Sequence, residues 1–249
     1  MTLLSATGSS FAEDVSADKA EMEGAHPVPP PGHVLRVGGD LQAEATWNGA
    51  RGEWRSGDSR IDTPLPEGYP APTPPVAIDI KTYPLVRRAE ISGSGGRSNS
   101  GFMPLFRHIQ RNQIAMTSPV EMDYETGEAT TARTDRWTMS FLYRTQELGG
   151  TGTDPHDQRI TVRDIEPVTV VSLGGRGSYA NSRIESDLNT LTAWLAENPD
   201  WLPAGPPRAL LYNGPSWTPW ANWLEVHIPV RWQGDEPVDE TSSPETEAD

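Results

Sequence analysis

The chain has 249 residues, with 20 Lys and Arg, 35 Asp and Glu and no cysteine, which excludes disulfides, thiolate metal sites and cysteine nucleophiles. Hydrophobic residues make up 35%, low for a fully packed chain of this length, so part of it is expected to stay outside a core. The net charge of −15 is carried by the ends, with −6 on residues 1–75, −2 on 76–232 and −7 on 233–249. A nearly neutral central part argues against nucleic acid, which needs a clustered basic surface.

Residues 1–75 are rich in Pro, Gly and small polar side chains, and two stretches, Pro27–Pro31 and Pro64–Pro75, read as polyproline-like spacers. Val34–Val37 could form a short strand between them. Trp47 and Trp54 could pin the segment onto a domain or belong to a small hairpin. This part is expected to be a loosely ordered extension. Its start lacks the basic and apolar regions of a signal peptide, and no apolar run approaches the roughly 20 residues that span a bilayer, so a cytoplasmic protein without a membrane span is expected. The acidic residues 233–249 read as a disordered tail. That leaves 76–232 as the domain, expected to fold alone.

From Ala77 an internal repeat emerges. A shift of 82 residues pairs Ile78 with Ile160, Ile80 with Val162, Val86 with Val168, Phe102 with Ile184, Phe106 with Leu188 and Ile109 with Leu191. Strand and helix periods stay in step, which points to a duplicated strand-helix-strand-strand unit. In the first copy Phe102, Leu105, Phe106 and Ile109 form one helical face with Phe106 at its centre, and Pro104 places the helix start near Ser98–Ser100. Ile114–Thr117 is expected to be a strand that ends at Pro119, near a sheet edge. In the second copy Ser182 and Glu185 suggest a capping box ahead of the stripe Ile184, Leu188, Leu191 and Leu195. Each copy closes with an alternating strand, Trp137 to Tyr143 and Leu224 to Val230, which implies one covered sheet face. The fold class is therefore α+β.

The run GFMPLFRHIQRNQIAMTSPV, with Ile78–Glu90 upstream and Trp137–Phe141 and Tyr212–Val230 downstream, resembles the SOUL haem-binding protein family. That resemblance implies a distorted antiparallel sheet or barrel with two packed helices. It also implies non-enzymatic binding of haem or a related tetrapyrrole beside the first helix and its bordering loops.

The residues offer few alternatives. Gly93–Gly101 lacks the lysine and spacing of a phosphate loop, and His26, His33, His108, His156 and His227 show no metal-ligand spacing. His108 reads as a surface or boundary histidine or, more sharply, as an axial haem ligand. Trp217, Trp220 and Trp223 could wall a pocket for a flat apolar ligand or cap the barrel end. The expected ligand contacts are Arg97, Phe102, Phe106, His108 and Trp217, with Arg97, Arg107 or Arg111 meeting propionates. The competing class is a ligand-sensing or protein-interaction module on the same scaffold without haem.

Overall fold

Among the described residues, fourteen strands and two α-helices follow one another. They are β1 (Val34–Gly39), β2 (Thr46–Asn48), β3 (Glu53–Ser56), β4 (Ser59–Ile61), β5 (Ala77–Tyr83), β6 (Val86–Ser94), α1 (Phe102–Arg111), β7 (Val120–Thr126) and β8 (Ala132–Leu142), then β9 (Gly152–Thr153), β10 (Ile160–Ile165), β11 (Val168–Arg176), α2 (Asn181–Glu197), β12 (Trp201–Pro203), β13 (Arg208–Leu211) and β14 (Trp223–Trp232). The structure is a computed structural model that describes residues 27–95, 98–126, 132–214 and 219–235. Beyond residue 235 the acidic tail lies outside the described residues.

The main sheet is antiparallel, in the order β1-β5-β11-β14-β13-β7-β8-β6-β10-β9, with β12 paired to β14. The path is open. Its ends are β1 and β9, which lie on the outer sides of β5 and β10, so of the expected sheet or barrel it is the sheet that forms, not closed on itself. From β5 to β10 the path is palindromic, and the 82-residue shift carries β6 onto β11. This is a symmetry of path and register and does not by itself establish duplication.

Strand alternation sends one set of side chains to the front of the sheet, where both helices pack. Ile91 of β6, Met139 and Phe141 of β8, Leu173 of β11 and Val226 and Ile228 of β14 are buried there with Leu105 and Ile109 of α1. All four leucine and isoleucine positions expected on α2, Ile184, Leu188, Leu191 and Leu195, join them. The capping box does not form, because the N-cap is Ala180, two residues before Ser182, with no side-chain cap bond. The predicted strand over 114–117 is also absent. Ile114 N–H closes α1 on Ile109 O and Ser118 N–H donates to Pro64 O, so β7 begins after Pro119 and runs in the sheet interior between β13 and β8.

The back face is covered as well, against the expectation of one wet side. Residues 27–75 account for this: β1 extends the sheet edge beside β5, while β2–β4 form a small sheet and the Pro-rich strap meets the central strands on the back. Trp223 Nε1–H donates to Thr73 O at 2.8 Å and Lys81 Nζ donates to Ala71 O at 2.8 Å. A Cβ on Gly174 would sit 2.0 Å from Pro74 O, so only glycine lets the strap backbone approach β11 this closely. Ile61, Tyr83, Val170, Leu210, Tyr212 and Trp223 make the apolar cluster beneath it. Over residues 27–75 the expected loosely ordered extension is thus an edge strand followed by a docked small sheet and strap.

A chain starting at residue 76 loses β1 and the strap and strips Lys81 of a buried acceptor. We expect it to aggregate or to melt at least about 10 °C below a chain starting at residue 27. Equal melting temperatures would show that the strap contributes nothing to the core.

Candidate functional site

Two centres stand out, one on each face of the sheet. On the back face the polar alternates of the central strands are buried together. Lys81, Glu225 and His227 are each 0% exposed, a situation charged groups tolerate only when paired and hydrogen-bonded. Glu225 Oε2 receives Lys81 Nζ at 2.8 Å, Ser172 Oγ–H at 2.8 Å and His227 Nε2–H at 2.9 Å, while Oε1 receives Thr73 N–H at 2.8 Å and the Tyr212 hydroxyl at 2.6 Å. That set uses up the carboxylate's capacity to accept. Burial alone would raise Glu225, but Lys81 and His227 outweigh it and hold the carboxyl well below the usual range. Burial pushes His227 down to about 4, with the cations Arg208 and Lys81 adding to the effect. The neutral ring donates from Nε2 to Glu225 and accepts Arg208 Nε–H on Nδ1 at 3.2 Å. Further along the same face Arg88 bridges Glu90, Glu121 and Asp123. Every member of the Glu225 set is committed to another, and the strap closes it off. Its chemistry is that of a clamp.

On the front face α1, α2 and strands β7, β8 and β13 leave a cavity of about 550 Å³. Its walls include Phe102, Met103 and Phe106 of α1, Met122 and Tyr124 of β7, Met139 of β8, Ile184 of α2 and Leu211 of β13, with Met116 from the connection before β7. Met122 and Met139 are cross-strand partners on one face, so their side chains lie side by side. The chain has six methionines, and the four within the described residues, Met103, Met116, Met122 and Met139, all line this one space. Phe102 stacks on Phe106 with ring centroids 6.0 Å apart and meets Phe141 edge-on at 5.1 Å. Among the described residues no Asp, Glu, Lys, Arg or His lines it. A second cleft, of about 870 Å³, lies beside the small sheet, but its Arg55, Arg176 and Arg183 are already paired with Glu53, Asp58 and Asp187.

The predicted contacts divide. Phe102 and Phe106 come together on the cavity wall, half-buried, so Phe106 is a wall ring and Leu105 and Ile109 hold the helix to the core. Arg97 and Trp217 lie outside the described residues. Trp223 is buried on the back face and Trp220 is 72% exposed, so neither walls the cavity. His108 is no boundary residue. It is 4% exposed and absent from the cavity lining; its Nδ1–H donates to Asp154 and its Nε2 lies 2.7 Å from the Tyr143 hydroxyl. Arg111 Nη2 also binds Asp154, at 2.8 Å. Although its burial acts the other way, these donors hold the Asp154 carboxyl well below its usual range. Both ring nitrogens of His108 are spent, which leaves none to face a ligand. Sequence reasoning missed the methionines, whose only signal was that Met103, Met116, Met122 and Met139 flank the two elements of the expected site.

The model of a family described as SOUL heme-binding protein matches residues 71–229. The chain belongs to that family. No curated protein matches this SOUL protein. Among solved structures it is similar to the EcmrR C-terminal domain, with 16% identity over 62% of this chain and 97% of that one and a TM-score of 0.48. It is also similar to a hydrolase from Listeria innocua, with 11% identity over 65% of this chain and 94% of that one and a TM-score of 0.46. Among the described residues of the SOUL chain no group of three His, Asp or Glu could hold a metal ion, and no helix is long and apolar enough to cross a membrane.

The clamp is expected to lose stability in acid. His227 has a folded-state pKa of about 4 against an ordinary 6.5, so below pH 6.5 the unfolded chain takes up the proton first. The stability it contributes is complete above that pH and is lost as pH falls towards 4, about 3 kcal/mol in all. Glu225, depressed further, adds its loss only below its ordinary range near 4.5. His227→Gln keeps a donor towards Glu225 and does not titrate. Urea melts at pH 7.5 and 5.0 are expected to show a smaller fall for this variant than for the wild type; equal falls would place the sensitivity elsewhere.

Proposed function

We propose that this chain is a non-enzymatic binder of haem or a related tetrapyrrole, held mainly by burial in the front-face cavity. One observation carries the reading: the wall is built from four methionines, stacked phenylalanines and aliphatic side chains, without a charged residue among those described. Such a surface suits a flat apolar macrocycle, and the volume lies within the roughly 300–1,000 Å³ of small-molecule sites. The fit is to the macrocycle and not to histidine coordination, since His108 is enclosed elsewhere. Phe102, Phe106, Met116, Met122, Met139 and Ile184 would hold the ring by contact and exclude water from its faces. Haem, when bound, supplies a redox-active iron. The methionine-rich wall also favours a second reading, a sensor of other flat apolar molecules, because thioether side chains re-pack around different shapes.

The test compares haem with iron-free mesoporphyrin by quenching of tryptophan fluorescence. Burial predicts affinities within about tenfold of each other. Phe106→Ala is expected to weaken both alike by about tenfold, through lost stacking and area. Its cost in stability is expected to fall short of the roughly 3–5 kcal/mol of a fully buried phenylalanine. Tight haem binding with no porphyrin binding would overturn burial in favour of coordination.

A further inference from the structure

Most of the buried hydroxyls along the cavity wall are used inside the protein. Thr117 donates to Leu142 O at 2.6 Å, Ser118 to Tyr212 O at 2.8 Å and Tyr212 to Glu225 at 2.6 Å. Tyr124 departs from this pattern: it lines the same wall, and its hydroxyl makes no hydrogen bond among the described residues. The residue is 4% exposed, and a buried phenol ordinarily finds a partner. Its oxygen is not sealed into the packing in the way that Ser140 Oγ and Asn222 Oδ1 are. It therefore opens on unfilled space, and the space its side chain borders is the cavity.

The backbone sets where this donor stands. Tyr124 lies two residues beyond Met122 on β7, on the same front face. Its cross-strand partner on β8 is Trp137, whose Nε1–H is given to Gly95 O at 3.2 Å. Tyr124 N–H donates to Pro207 O at 3.1 Å, which fixes the main chain at this point. A hydroxyl thus stands beside the thioethers of Met122 and Met139 with its proton unassigned.

That proton stays on the oxygen. Burial, and the Asp123 carboxylate next along the strand, push the phenol well above its usual value of 10. It acts as a donor and not as a phenolate. The same surroundings select the acceptor. No Lys, Arg or His among the described residues lines the cavity, so an anion brought to this hydroxyl would be buried without a cation, at high cost. A carbonyl oxygen accepts the hydrogen bond and brings no charge out of water.

We propose that the cavity selects flat apolar ligands with a carbonyl on the edge of the ring, to which Tyr124 O–H donates. This rests on the tetrapyrrole reading above and narrows it to tetrapyrroles that carry a keto or acyl group in place of an alkyl one. Selectivity comes from meeting a donor that folding leaves unmet.

The experiment titrates the full-length protein with mesoporphyrin and with diacetyldeuteroporphyrin, which bears two acetyl groups where mesoporphyrin bears two ethyl groups. Ring and carboxylates are shared, so the pair isolates the carbonyl. The acetyl compound is expected to bind about tenfold tighter, with its C=O stretch lowered in the infrared spectrum of the complex. Tyr124→Phe removes only the hydroxyl and should abolish both the preference and the lowered stretch. Without ligand, this variant is expected to melt no lower than the wild type, because the hydroxyl it deletes has no partner; a lower melting temperature would show that the fold uses the hydroxyl, and overturns the proposal. Equal binding of the two porphyrins by the wild type, or a preference that survives Tyr124→Phe, also overturns it and leaves the tetrapyrrole reading standing. If neither porphyrin binds, that reading fails and the proposal fails with it.

Discussion

The buried pair of Lys81 and Glu225, 2.8 Å apart and wholly out of water, is the constraint on which the back of the molecule depends. Desolvating two charges costs several kcal/mol per ion, and the attraction between them offsets this only when their remaining valences are met. Here Ser172, Tyr212 and His227 meet part of the need, and one upstream segment meets the rest. Ala71 O and Thr73 N–H belong to the Pro-rich strap, so the pair can be buried only with the strap in place. Trp223 and Gly174 then bring that backbone onto the strands. The ion pair specifies where the strap lies, and the strap keeps water from the ion pair.

With the back closed in this way, the front can carry an incompletely filled space. Close packing of Leu105, Ile109, Ile184 and Leu188 anchors the two helices. Phe102, Phe106 and the methionines between them line a cavity in place of completing a core. Methionine suits that position because its unbranched side chain adapts to a partly empty neighbourhood at low cost. The histidine that looked most like a ligand works elsewhere: His108 ties α1 to Asp154 and Tyr143 and so holds the helix from outside the cavity.

Much of the front face was legible in the sequence, because period carries it. The α2 stripe and the β14 alternation are local patterns, and each is buried as its spacing implied. The back face was not legible for the same reason. Alternation puts Glu225 and His227 on one face of β14, but shows neither that Lys81 joins them nor that a segment from far upstream covers them. Thr73 meets Glu225 across 152 residues of chain. His108 was misread because Asp154 and Tyr143 arrive from beyond the next two strands, and no helical spacing announces them. The cavity itself became visible only once β7 and β8 paired Met122 with Met139.

The most direct test of the account is to watch the methionine methyl groups by NMR, in protein labelled at those methyls, while iron-free mesoporphyrin is added. A macrocycle in the front-face cavity places its ring current beside the thioethers, so the signals of Met116, Met122 and Met139 should shift strongly and together, with the His108 ring signals little changed. Unmoved methionine signals alongside a strong shift at His108 would contradict the placement of the ligand.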